Sequence, residues 1–226
     1  MPFLTSNRKA SEVKAEEVYY PEIKWEIEDH DGKYEGNEKG ILTIMIEQAP
    51  RNRTIKYREM FYSGGHENYY LQIPWEYYIA RVSSKGVILL SAMFFANREI
   101  TGIDKKGICC APLPNNDYGK DKGLGVCLWK AGASFGSDPR KAAMKAHEYI
   151  WTSAFNPGVS YYEAGRPDEI HSSKGWPGSL EKWQSLTKEA KKITWIPVYS
   201  KKLQKDCETL EDAFLWLSKT TDHIYQ

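Results

Sequence analysis

The chain has 226 residues, 41% hydrophobic and 27% charged, enough for one well-cored domain, alone or with an appendage. Thirty-one Lys and Arg stand against thirty Asp and Glu, and the formal charge of +1 excludes a global field that would draw the chain to nucleic acid or an anionic membrane. The longest apolar runs, 87–90 and 92–96, fall short of the ~20 residues a membrane helix needs, and no signal-peptide core opens the sequence, so a cytoplasmic protein is expected.

Residues 1–22 form a polar N-terminal segment in which Ser11 permits a short helix. From Ile23 the pattern alternates (IKWEIE), and a Gly- and Asp-rich turn over 29–40 leads to ILTIMIE at 41–47, which predicts a hairpin. Pro50–Asn52 predicts a turn before a strand over 54–62, and Ser63-Gly-Gly turns the chain into a strand over 69–73. Three or four consecutive antiparallel strands are expected. Pro74 cannot donate to a ladder and separates 69–73 from WEYYIARV at 75–82. After a tight turn at 83–86, residues 87–95 are apolar on both alternating faces, which predicts a strand covered by a helix; a buried helix is the competing reading.

Asp138-Pro139 supplies a capping carboxylate and a proline at the first helical position, so a helix is expected from there to Asn156-Pro157-Gly158, with Ala143, Ala146, Ile150 and Ala154 inward. A loop over 161–178, carrying His171 and Trp176, precedes a helix capped by Ser179 with Leu180, Trp183, Leu186 and Ala190 on one side. A short strand over 193–199 follows. Thr209 and Asp212 resemble a capping box and open a last helix with Leu210, Phe214 and Leu217 inward. The fold class is therefore α+β: an antiparallel meander, then a loop and packing helices, with the core over 23–160 and a loop-and-helix extension over 161–226.

Between sheet and helix lies CCAPLPNNDYGKDKGLGVCL, residues 109–128. A cysteine thiolate is a strong nucleophile, and a thioester stays activated toward amines. Cys127 is the candidate nucleophile. A side-chain amide fixed by a proline turn can donate to the oxyanion that forms when an amine attacks, and Asn115 after Pro114 is the candidate for that role. Gly123 and Gly125 let the backbone turn close to the cysteine. Buried structural thiol and simple Asx-turn are the alternative readings of Cys127 and of Asn115-Asn116-Asp117.

Leu113-Pro114-Asn115, Gly125-Val126-Cys127-Leu128, the helix from Pro139 and Asn156-Pro157 follow the strands in an order that resembles the ubiquitin-conjugating enzyme superfamily. The Leu-Pro-Asn variant and the cysteine loop look like its bacterial and phage-borne relatives, including the prokaryotic group associated with PRTRC gene clusters. The resemblance runs over roughly residues 40 to 160. It implies a UBC-like fold, Cys127 as the thioester cysteine, Asn115 as the oxyanion-stabilising amide, no cofactor, and an activating enzyme and a ubiquitin-like protein as partners. Leu113 stands where the family has His, and the twelve positions from Asn115 to Cys127 make a longer loop than the family's usual one.

Other readings compete. The same fold can serve as a non-catalytic interaction or assembly module with protein partners, in a phage or mobile-element system and then virion-associated. Aromatic and basic residues interleaved over 53–82 could stack single-stranded nucleic acid, although half-buried strands explain them more simply. GKDKGLG lacks the Gly-Lys-Ser/Thr ending of a phosphate loop. Cys109, Cys110, Cys127 and His147 fit no familiar metal-ligand spacing, so no metal is expected, and His147 reads as packed on its helix.

Overall fold

The computed structural model describes residues 21–29, 40–57, 67–111, 116–117, 126–127, 134–155, 180–191, 193 and 208–219. Its strands are β1 (Glu22–Asp29), β2 (Ile41–Gln48), β3 (Arg51–Tyr57), β4 (Glu67–Ile73), β5 (Trp75–Val82), β6 (Ile88–Ala96), β7 (Ile108–Cys110), β8 (Asn116–Asp117), β9 (Val126–Cys127) and β10 (Ala154–Phe155). The helices are α1 (Pro139–Thr152), α2 (Leu180–Lys188) and α3 (Leu210–Lys219). The chain is α+β with mostly antiparallel strands, as the alternation predicts.

The expected run of consecutive strands is broken. β2 skips to β5, pairing Leu42 with Val82 through Gln48 with Glu76, while β3 and β4 pair with each other in a second sheet of order β10-β3-β4. Pro50 and Pro74 bracket that hairpin. Neither has an N–H to give, so the ladder stops at both points and the hairpin between them leaves the main sheet. The main sheet has seven strands in the order β1-β2-β5-β6-β9-β8, with β7 also on β6.

β6 is buried along its whole length, which decides for the strand over the helix. Alternate residues explain why. Met93 and Phe95 face a core with α1, the second sheet and α2, whereas Leu90, Ala92, Phe94 and Ala96 face Leu210, Ala213, Phe214 and Leu217 of α3. A strand covered on both faces must be apolar at every position. Each buried Leu or Phe on α3 contributes about 1.5–3 kcal/mol, so packing more than propensity holds that helix.

The caps follow the sequence. Asp138 accepts from the backbone N–H groups of Arg140 and Lys141, at 2.9 and 3.1 Å. Thr209 and Asp212 close their box: Asp212 N–H donates to Thr209 Oγ1 at 3.0 Å and Thr209 N–H to Asp212 Oδ2 at 3.1 Å.

Three boundaries differ from expectation. β3 begins at Arg51, inside the expected turn, because Arg51 already pairs with Ile73. α1 stops at Thr152, before Asn156-Pro157: Ser153 bonds back to the Tyr149 carbonyl, and Ala154–Phe155 pair in parallel with Lys56–Tyr57 of β3. Ala190 is exposed beyond the end of α2, not on its buried face. Residues 1–20, the loop over 161–178 and most of the strand expected over 193–199 lie outside the described residues.

Candidate functional site

The described parts of residues 108–135 meet β6 or the turn before it at three places. β7 pairs Cys110, Cys109 and Ile108 with Phe94, Phe95 and Ala96. Further along, Val126 of β9 pairs with Ala92. Beyond it, Ser134 bridges Val87, and Phe135 N–H donates to the Gly86 carbonyl at 3.2 Å. A Cβ on Gly86 would stand 1.6 Å from the Gly136 carbonyl oxygen, so only glycine admits that close approach. α1 starts three residues after Gly136.

Cys127 is the second residue of β9, and the antiparallel β8–β9 ladder sets Asn116 opposite it and Asp117 opposite Val126. The residue that follows Asn115 is thus the ladder partner of the cysteine. Asn115 itself lies outside the described residues, as do Pro114, Gly123 and Gly125.

Cys109 shows what a structural thiol looks like in this fold. It is buried in the core that α1 covers, Asn97 Nδ2 donates to its Sγ at 3.5 Å, and Sγ lies 3.5 Å from the Gly107 carbonyl. Burial pushes its pKa up to about 12, so almost none of it is thiolate near neutrality.

A polar cluster that sequence reasoning missed lies on the α1 side of the sheet. Glu76 is fully buried; its Oε1 accepts from Trp151 Nε1 at 2.7 Å and lies 2.5 Å from His147 Nε2. His147 and Trp151 are one turn apart, so a single helical face presents both rings to one oxygen. Arg51 Nη2 stands 3.7 Å from Glu76 Oε2, and the Arg53 guanidinium lies 4.8 Å from the centre of a Trp151 ring. His147 therefore does more than pack on its helix. The signal was present in the sequence: in WEYYIARV, Glu76 shares a strand face with Tyr78 and Ala80, an anomalous charge on an apolar face that calls for a partner.

No family model, curated protein or solved structure matches the chain.

The two clusters differ in chemistry. The β8–β9 region offers a cysteine backbone position opposite Asn116, whereas the Glu76 cluster offers fixed charges and hydrogen-bonding rings. Among the described residues, no helix is long and apolar enough to cross a membrane.

Proposed function

We propose that the chain is a ubiquitin-conjugating-like acyl carrier with Cys127 as its thioester cysteine. The observation that carries the reading is the ladder that pairs Cys127 with Asn116, the residue after Asn115. The order of parts supports it: antiparallel strands, the short β8–β9 ladder that carries the cysteine, then a helix packed on the sheet.

In this mechanism the Cys127 thiolate attacks the carbonyl carbon of a modifier held as a thioester on an activating enzyme. A new S–C bond forms, the old one breaks, and the departing thiolate takes up the proton that Cys127 lost. A substrate amine then attacks the Cys127 thioester. Charge builds on the carbonyl oxygen, where the Asn115 amide donates a hydrogen bond; the tetrahedral intermediate collapses, Cys127 leaves as thiolate, and the amine's proton passes to solvent. The partners are an activating enzyme and a ubiquitin-like protein.

The residence of Val126–Cys127 inside the sheet, between β6 and β8, favours a second reading in which the thiol is structural and the fold is an assembly module. A synthetic peptide thioester ending in Gly-Gly separates the two, read by intact mass and peptide mapping. The carrier forms one adduct at Cys127, and Cys127→Ala forms none. Asn115→Ala still loads but passes the acyl group to free lysine about a hundredfold more slowly. A folded protein that acquires no adduct at Cys127 overturns the carrier and favours the assembly reading.

A further inference from the structure

The Glu76 cluster contains unmet polar atoms of both signs. Glu76 Oε1 is engaged by Trp151 and His147, yet Oε2, equally buried, makes no hydrogen bond among the described residues. Its nearest cation, Arg51 Nη2, is 3.7 Å away, beyond hydrogen-bond reach. Arg51 Nε and Nη2 are both buried and, among the described residues, likewise without a hydrogen bond. These two nitrogens form one edge of the guanidinium, whose parallel N–H groups match two oxygens of a carboxylate or phosphate. Arg53 lies two residues along β3 on the same inward side, and its Nε is also buried and unmet.

Arg51 thus stands against Glu76, with Arg53 over the neighbouring Trp151 ring, and the unmet atoms themselves are buried. Leaving buried polar atoms without hydrogen bonds is costly even beside an opposite charge, and burial lowers the Arg51 pKa from its ordinary value while Glu76 only partly opposes the shift. A ligand completing the cluster needs acceptor oxygens for Arg51 and a donor for Glu76 Oε2.

We propose that Arg51, Arg53 and Glu76 form a binding site for a small oxyanion that carries its own O–H, hydrogen phosphate being the simplest. Two of its oxygens take the Nε–Nη2 edge of Arg51, its hydroxyl donates to Glu76 Oε2, and Arg53 supplies the second positive charge. His147 and Trp151 are positioning residues that hold Glu76 through its other oxygen. The Arg51 side chain keeps 23% of its surface exposed, which leaves a route from solvent.

The test is calorimetric titration of the full chain with inorganic phosphate, and with sulfate at matched ionic strength, near neutral pH. Phosphate binds saturably, and sulfate, which has no proton to donate, binds about tenfold more weakly. Arg51→Lys keeps the charge on a partly exposed side chain but loses the fork, weakening phosphate about ten- to a hundredfold. Glu76→Gln brings an N–H to the site and removes the preference for phosphate over sulfate. Arg140→Lys, on the exposed Glu26 pair, changes nothing. No saturable binding to the folded wild type overturns the proposal, as does equal binding by Arg51→Lys. A crystal grown in phosphate with Arg51 bonded directly to Glu76 and no anion between them does so too.

Discussion

Ala190 adopts φ of 50°, a left-handed conformation that a Cβ disfavours by roughly 1–2 kcal/mol. It holds the position after the end of α2 where helices usually place glycine: Lys191 N–H donates to the Leu186 carbonyl at 2.9 Å and Ala190 N–H to the Thr187 carbonyl at 3.0 Å. The residue is exposed, so loss of its methyl forfeits no packing. Glycine also loosens the unfolded chain, which offsets part of the gain. Ala190→Gly is therefore expected to stabilise by up to about 1 kcal/mol in urea unfolding. A lower midpoint at unchanged slope would contradict this account of the strain. The spacing of Leu180, Trp183, Leu186 and Ala190 puts all four on one face only if the helix continues through the last of them. Leu180, Trp183 and Leu186 are buried as that spacing predicts, but the helix has ended by Lys188.

Among the elements, β6 organises the fold, because both faces and the edge facing β7 and β9 are in use. Its apolar pattern on two faces was legible in the sequence, as were the break at Pro74 and the starts of α1 and α3, since each depends on neighbouring residues. The departure of the β3–β4 hairpin was not, because it depends on which distant strand β2 meets. α2 then covers the β4 edge with side chains: Gln184 Oε1 accepts from Tyr70 N–H at 2.7 Å, and Thr187 Oγ1 from Gln72 N–H at 2.9 Å. Such capping blunts an edge that would otherwise pair with other chains. The stitch between the 83–87 turn and residues 134–136 brings together two glycines at positive φ, Gly86 and Gly136. Gly86 has φ of +73°, and an added Cβ would meet the Gly136 carbonyl oxygen. Gly86→Ala is expected to destabilise by about 3 kcal/mol or more, from strain and overpacking together. A denaturation midpoint equal to wild type would show that the stitch does not hold the segment before α1.

Across the fold, several buried protons set the response to alkali. Burial raises the Cys109 thiol from its ordinary 9.0 to about 12. It also raises the phenols of Tyr69 and Tyr77 above their ordinary 10.0, with Glu67 and Glu181 adding to the effect at Tyr69. All three groups hold their protons more tightly folded than unfolded. Their contribution is complete below about pH 9 and declines as the pH rises toward about 12, because the unfolded chain releases protons that the folded chain keeps. Urea midpoints are expected to fall steadily above about pH 9, and less steeply in Tyr69→Phe. A midpoint independent of pH across that range would contradict the burial of these groups. The Glu76 cluster illustrates the limit of reading such a molecule from sequence: Glu76 meets His147 and Trp151 across 71 and 75 positions, and local periodicity carries no information about that distance.

The proposed activity rests on one sulfur atom, so its decisive test is intact-mass analysis of the folded chain after exposure to the Gly-Gly peptide thioester. A single acyl adduct is expected that maps to Cys127, is removed by hydroxylamine and is absent from Cys127→Ala, while buried Cys109 stays unmodified. An unmodified Cys127 in a chain that circular dichroism shows to be folded would contradict the carrier.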